Sequence, residues 1–152
     1  MNSKQLTRIY FAILLGVSTL YSNISKAQCD TIANVCQKSY SGSFISDGQQ
    51  YRSLLINNEI AEYTTTFYGG STYRIMACSG LSGGNLVFRL YDSERHLLFN
   101  SGDYRNTPYW DFKFTSTVNC TIEAQLANAM AGGTPDSTAA SGCAVVLIGF
   151  KN

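Results

Sequence analysis

The sequence has few of the residue patterns that bind zinc. It contains a single histidine, His96, and no Cys-x-x-Cys pair, so a zinc site is not expected. We assign no metal ligand and predict no cofactor. A Ser–His–acid triad would have to use His96, which lies beside the polar segment 92–95, where a solvated histidine is the ordinary expectation. We therefore predict that the protein is not an enzyme.

The sequence also lacks an apolar run of the about 20 residues that a membrane-spanning helix needs. Its longest run near the start, residues 9–17, follows Lys4 and Arg8 and precedes Ser25-Lys26-Ala27. This arrangement is typical of a secretory signal peptide cleaved after Ala27. We predict a signal peptide over 1–27, a single domain over 28–152 without a membrane span, and a secreted, periplasmic or cell-surface location.

Basic clusters are absent from the predicted mature part. Removal of the signal peptide would leave eight Lys and Arg against ten Asp and Glu, a net charge of −2. Nucleic-acid binding depends on clustered Lys and Arg against phosphates, and we therefore expect no nucleic-acid partner.

All five cysteines lie in the predicted mature part. Export favours disulfides, and an odd number of cysteines leaves at least one thiol unpaired within the chain. An intact helix between Cys29 and Cys36 would hold them about 10 Å apart, too far for a bridge, so they either pair across a non-helical loop or reach other strands. Among the remaining pairs we favour Cys78 with Cys143. The disulfide candidates are Cys29, Cys36, Cys78, Cys120 and Cys143.

The stretch 110–126 carries the clearest structural signal. Its even positions are apolar except Ser116, and its odd positions are all polar, which is the period-2 pattern of a β-strand with one buried face. As one strand it would span about 55 Å, far more than a domain of this size with a radius of gyration of about 14 Å allows. We therefore predict a corner near Ser116 between strands 109–115 and 117–126, which would pass from one sheet to the other.

Similar signals run through the rest of the mature part. We predict a turn at Asp47-Gly48, a tight hairpin turn at Asn57-Asn58, and a functional or mobile loop over 128–142. The last strand is apolar on both faces, which favours a central position. These signals predict an all-β, jelly-roll-like, two-sheet antiparallel β-sandwich of about eight strands with a short N-terminal helix or loop. The further predicted strands are 50–56, 60–68, 72–78, 85–91, 96–100 and 144–150.

The acidic residues offer two weak candidate sites. Asp92 and Glu94 have the oxygen ligands of a calcium loop, but the 12-residue pattern of a calcium-binding hand is absent, and a polar turn is the simpler interpretation. Glu59 and Glu62 resemble the carboxylate pair of a glycosidase. On a strand they would point to opposite faces, so we interpret them as surface charges.

Aromatic residues near 104–110 provide the candidate ligand-binding site. Exposed rings beside polar groups stack on ligands and add directed hydrogen bonds. Trp110 belongs to the apolar face of its strand, so we expect it in the core. The predicted ligand-binding residues are Tyr104, Tyr109, Asp103 and Arg105.

Four segments carry a resemblance to a known family. In order they read TFYGGSTYRI, LVFRLYDSERHLLF, WDFKFTSTVNCTIEAQL and GCAVVLIGF. Over about 60–150 this order resembles the bacterial pre-peptidase C-terminal (PPC-like) β-sandwich. The resemblance implies a secreted jelly-roll-like accessory module, a kind often attached to enzymes and sometimes binding polymer or calcium. The cysteines are additional to that pattern, and no functional residue of the family maps onto this sequence.

Two classes of function follow. The first is an exported, non-catalytic binding or accessory module whose partner is a polysaccharide or a protein. The second is a structural or assembly subunit of a cell-surface complex, with the unpaired thiol or the loop over 128–142 as its contact. Loss of ligand retention on removal of Tyr104 and Tyr109 would favour the first class.

Overall fold

The computed structural model describes residues 24–38, 43–56, 58–80, 86–127 and 141–151, with the side chains of the helix described from Cys29 onward. These residues form one helix and eight strands, and no helix among them is both long and apolar enough to cross a bilayer. Most of the predicted signal peptide and residues 128–140 of the predicted loop lie outside them, and the last two residues of that predicted loop, 141 and 142, belong to the last strand instead. The elements are α1 (Ile24–Lys38), β1 (Ile45–Ile56), β2 (Ile60–Phe67), β3 (Thr72–Ser79), β4 (Leu86–Asp92), β5 (Leu97–Asn100), a 3₁₀ turn (Ser101–Tyr104), β6 (Tyr109–Lys113), β7 (Val118–Leu126) and β8 (Ser141–Lys151).

The strands form two four-stranded antiparallel sheets. Sheet I has the order β1-β8-β3-β6, and sheet II has the order β2-β7-β4-β5. The two sheets enclose one core, so the structure confirms the predicted two-sheet β-sandwich. Ring contacts place β1 over β2 at one lateral edge and β6 over β5 at the other.

The corner near Ser116 is confirmed. The strand before it, β6, pairs with β3 in sheet I, and the strand after it, β7, lies in sheet II. The glycine turn before β3 packs against this corner, because the Gly70 N–H donates to the Phe114 carbonyl at 2.9 Å. A Cβ atom added to Gly69 would lie 2.9 Å from the Cα atom of Ser116 and from the Thr115 carbonyl oxygen. The corner therefore requires a glycine at this contact.

The last strand is central, as its two apolar faces predict. One face of β8 contributes Val146 and Ile148 to the core between the sheets. Its other face contributes Val145 and Leu147 to a second cluster, which Met76 shares with residues of α1. The helix buries Cys29, Ala33 and Cys36, whose spacing places them on one helical face. A helix on the outside of sheet I thus covers the second apolar face of β8.

Two disulfides attach this helix to sheet I, and both differ from the favoured pair. Cys29 bonds Cys143 and Cys36 bonds Cys78, with Cα–Cα distances of 5.4 and 6.1 Å. The predicted Cys78–Cys143 bridge is wrong, because Cys78 lies opposite Val145 in the β3–β8 register, which leaves Cys143 in a diagonal position. The helix is intact, and the two helix cysteines reach other strands, one of the two predicted outcomes.

The predicted β1–β2 hairpin is also wrong. β1 pairs with β8 and β2 pairs with β7, so the short connection at Asn58 passes between the sheets. The predicted turn at Asp47-Gly48 lies within β1, where the register shifts between Ser46 and Gln50. Turn residues in the sequence do not distinguish a hairpin from a bulge or a crossing between sheets.

One charged residue of the polar face of β7 is buried. Glu123 is 7% exposed, and its carboxylate lies 2.9 Å from an Arg95 guanidinium nitrogen and 3.6 Å from one of Arg89. Burial, together with the neighbouring Glu123 carboxylate, raises the pKa of Tyr91. The outer face of sheet II therefore carries a partly buried charge network where the alternation predicted only solvated side chains.

Substitution of Gly69 by alanine tests the corner. We expect Gly69→Ala to lower the free energy of unfolding by about 1–3 kcal/mol, because backbone atoms block the new Cβ. Urea denaturation measures the change. Ser116→Ala is the control: its exposed side chain should cost no more than about 0.5 kcal/mol. Equal effects of the two substitutions would contradict the close approach.

The cysteine without a disulfide, Cys120, should be unreactive in the folded protein. It is 1% exposed, and burial followed by the Asp92 carboxylate raises the pKa of its thiol to about 11. At pH 8 only about one thiol in a thousand would be ionised. We expect a disulfide-exchange reagent to label about one thiol per chain only after unfolding in denaturant. Rapid labelling of the native protein would contradict this burial.

Candidate functional site

The predicted ligand-binding residues lie on the segment between β5 and β6. We call residues 101–108 the edge turn, because the segment joins the edge strands β5 and β6 of the two sheets. The turn begins with the 3₁₀ segment Ser101–Tyr104. Ser101 is fully buried, and its hydroxyl oxygen accepts a hydrogen bond of 3.0 Å from the Phe88 backbone N–H. This contact fastens the start of the edge turn to β4.

Asn100 caps the 3₁₀ segment. Its side-chain oxygen accepts a hydrogen bond from the Gly102 N–H at 3.1 Å, and its side-chain nitrogen donates to the Asp103 carboxylate at 3.1 Å. Asparagine is favoured at caps because its short amide satisfies backbone donors that have no partner in the helix. The predicted site residue Asp103 therefore contributes to the shape of the turn.

The second half of the turn is held by backbone contacts. Arg105 and Asn106 have φ values of 56° and 53°. Residues other than glycine rarely adopt this left-handed backbone conformation. The Thr107 N–H donates to the Tyr104 carbonyl at 3.2 Å, and the Ala77 N–H of β3 donates to the Pro108 carbonyl at 2.8 Å. Both ends of the turn are thus anchored to neighbouring strands, and two adjacent residues hold costly backbone angles at its tip.

Tyr104 lies on an aromatic stack at this edge of the sandwich. Its ring centroid is 4.6 Å from Trp110 and 5.3 Å from Phe99, and it is nearly parallel to the Phe99 ring. Trp110 packs against the core, as its strand phase predicts. Tyr104 nevertheless remains 51% exposed. The stack therefore supports one face of a tyrosine that presents the rest of its surface to solvent.

Tyr109 faces away from that stack. It alternates with Trp110 along β6 and lies on the outer face of sheet I, where the Arg74 guanidinium is 4.5 Å from its ring centroid. Arg74 also forms a two-point contact with Asp111, at 2.6 and 2.8 Å. The four predicted residues are thus divided: Tyr104, Asp103 and Arg105 share the edge turn, whereas Tyr109 belongs to a cation–aromatic cluster on another surface.

The edge turn presents one positive charge. Arg105 is exposed, and within the described residues it forms no ion pair. The nearest acid in sequence, Asp103, already accepts a hydrogen bond from Asn100. An exposed ring beside an exposed guanidinium suits recognition of an acidic or polar partner surface.

The other candidate residues have structural partners. The Asp92 carboxylate accepts hydrogen bonds from the backbone N–H groups of Glu94 and His96, both at 2.9 Å, and contacts the His96 ring at 3.0 Å. The hydrogen bond from the His96 backbone is the largest cause that lowers the pKa of Asp92. These contacts make a polar turn, as the sequence predicts, and no cluster of three metal-ligating side chains occurs in the described ranges.

Comparisons with known proteins bear on the fold. No protein-family model and no curated protein matches the sequence. Among solved structures, the chain is similar to Aeromonas hydrophila PliG, a periplasmic inhibitor of g-type lysozyme, with 14% identity and a TM-score of 0.50. The two chains share a fold. The similarity covers 74% of this chain and 91% of PliG, and at this identity it extends to the fold alone. The resemblance to PPC-like domains stays a prediction.

Sequence reasoning identified the edge turn but missed the residues that hold it. Asn100 before Ser-Gly-Asp has the pattern of a capped turn, and this signal was available in the sequence. The contact of Arg74 with Tyr109 and Asp111 was not, because the partners lie on different strands more than thirty residues apart. The burial of Ser101 likewise depends on β4.

Removal of the cap should loosen the edge turn. We expect Asn100→Ala to lower the free energy of unfolding by about 1 kcal/mol, since two hydrogen bonds of the turn are lost. Thermal denaturation and amide exchange at Gly102 measure the effect. Asp103→Ala removes only one of these contacts and should cost less. A larger loss for Asp103→Ala would contradict the role of Asn100 as the cap.

Proposed function

We propose that this chain is an exported, non-catalytic protein-binding module that uses the edge turn to bind a lysozyme-type glycoside hydrolase. The observation that carries the proposal is the exposed Tyr104 ring on a turn anchored at both ends. Such a side chain has few rotatable bonds, so little conformational entropy is lost when it is buried in a complex. The bracing by Asn100 and Ser101 lowers that cost further.

The chemistry of the turn agrees with this class of partner. Glycoside hydrolases carry a pair of carboxylates in the cleft that binds substrate. Arg105 supplies an exposed cation at the tip of the turn, next to Tyr104, and thus complements an acidic cleft. The shared fold with a lysozyme inhibitor supports the choice of a lysozyme as the first partner to test.

The position of Tyr109 argues against a polysaccharide partner at this site. Sugar-binding platforms need rings that face the same ligand. Tyr104 lies at the edge between the sheets, whereas Tyr109 packs on Arg74 at the outer face of sheet I. A protein partner requires no such common platform.

Substitution of Tyr104 tests the proposal. We expect the parent protein to bind and inhibit a g-type lysozyme, and Tyr104→Ala to weaken binding at least about tenfold, as for a central interface tyrosine. Surface plasmon resonance and a cell-wall lysis assay measure the two effects. Tyr68→Ala is the matched control, because Tyr68 is 64% exposed and follows β2 at the opposite edge. Failure of the parent protein to bind g-, c- and i-type lysozymes would overturn the proposed partner, and equal loss in both variants would overturn the proposed site.

A further inference from the structure

A second candidate site lies at the lateral edge opposite the edge turn. It is a cleft of about 490 Å³ between β1 of sheet I and β2 of sheet II. This volume falls within the range of small-ligand sites. Its described lining residues are Asp47, Gln49, Thr65, Thr66, Phe67, Tyr68, Ser71, Tyr73, Ile148 and Phe150.

A bulge in β1 lies along this cleft. Ser46 pairs with Gly149 and Gln50 pairs with Leu147, so three residues of β1 span the single residue Ile148 of β8. Gly48 has a φ of 81° in this bulge, a conformation that glycine adopts readily. The extra residues bend the edge strand and place Asp47 and Gln49 at the rim of the cleft. The bulge thereby adds a carboxylate and an amide to the border of the cleft.

Four of the ten described lining residues are aromatic. The Tyr73 ring centroid is 4.9 Å from Phe67 and 6.3 Å from Phe150, and the rings are tilted against one another. Tyr68 stands at the mouth with 64% exposure, and its backbone N–H donates to the Tyr73 hydroxyl oxygen at 3.0 Å. Phe67 is fully buried, so a ligand in the cleft would meet the exposed ring of Tyr68 and the partly buried ring of Phe150. Aromatic rings attract organic cations through their π faces.

The charge at the rim of the cleft is negative, which suits a cationic ligand. Asp47 is the only charged side chain among the described lining residues. One of its carboxylate oxygens accepts a hydrogen bond of 2.9 Å from the Gln49 N–H, and no Lys, Arg or His of the described residues forms an ion pair with Asp47. Desolvation raises the pKa of the Asp47 carboxyl. A cation in the cleft would favour the charged carboxylate and so offset that cost.

We propose that this cleft binds an alkylated ammonium group, with the apolar substituents against the aromatic rings and the positive charge facing Asp47. Asp47 would repel an anion. A small, strongly hydrated cation would lose its water without filling the cleft. The site is separate from the edge turn, because the two lie at opposite edges of the sandwich.

A pair of probes with the same shape tests the charge requirement. In 3,3-dimethylbutan-1-ol, a neutral carbon replaces the ammonium nitrogen of choline. In NMR titrations of the full chain we expect choline to shift the amide resonances of Gln49, Thr66 and Ser71 saturably, and the neutral probe to bind about tenfold more weakly. Equal binding of both probes, or no saturable shift up to about 0.1 M choline, would overturn the proposal.

Two variants locate the site. Asp47→Asn should weaken choline binding about fivefold or more while leaving the neutral probe unchanged, since only the charge is removed. Glu94→Gln, which removes an exposed carboxylate from the turn between β4 and β5, should change neither. In the parent protein, choline binding should also weaken as the pH falls through the raised pKa of Asp47, a measurement that needs no substitution. Binding that is independent of both pH and Asp47 would contradict the assigned role.

A lipid-binding experiment distinguishes a free ammonium compound from a lipid head group. Vesicles of phosphatidylcholine present the same head group on a membrane surface. Co-sedimentation that free choline competes away would assign the lipid head group as the ligand, and choline binding without co-sedimentation would assign a free solute. Co-sedimentation that choline does not reduce would place the lipid contact outside the cleft and count against the proposal.

Discussion

The structure depends on covering the outer apolar face of sheet I. Val145, Leu147 and Met76 point away from the core between the sheets and pack beneath α1. A 15-residue helix is only marginally stable alone in water, so this packing and the covalent attachment to sheet I both stabilise it. The two disulfides supply that attachment by closing sequence separations of 114 and 42 residues, and bridges of this kind contribute about 2–4 kcal/mol each. Without the helix, the central strand β8 would expose one of its two buried faces.

The two lateral edges of the sandwich have different chemistry. At the β5–β6 edge, the sheets are closed by an aromatic stack, and a braced turn projects Tyr104 and Arg105 into solvent. At the β1–β2 edge, a bulge borders an open cleft with a carboxylate at its rim. A β-sandwich buries its two inner faces in one core, which leaves the edges and the connecting segments available for recognition. Both proposed sites follow this division.

Much of the fold was predictable because local patterns and chain length constrain it strongly. The alternation over 110–126 with its lapse at Ser116 located the corner, and the two apolar faces of the last strand located the centre of sheet I. The pairing of the strands was harder to predict from the sequence. The pattern around Asn57-Asn58 is the same for a hairpin and for a crossing between sheets. Which cysteines meet depends on the β3–β8 register and on the position of α1 over sheet I. The edge turn was identified from its aromatic residues, but the separation of Tyr109 from Tyr104 depends on the twist and pairing of β6.

The sequence by itself determined the all-β class, the number of strands, the corner, the central last strand and the odd cysteine. These follow from periodicity and composition, which act within a few residues. Only the tertiary structure decided the disulfide pairing, the burial of Glu123 beneath Arg95 and Arg89, and the cleft that joins Asp47 to Phe150 and Tyr68. These features bring together residues that lie far apart in the chain, and their positions depend on register and sheet packing rather than on any local preference.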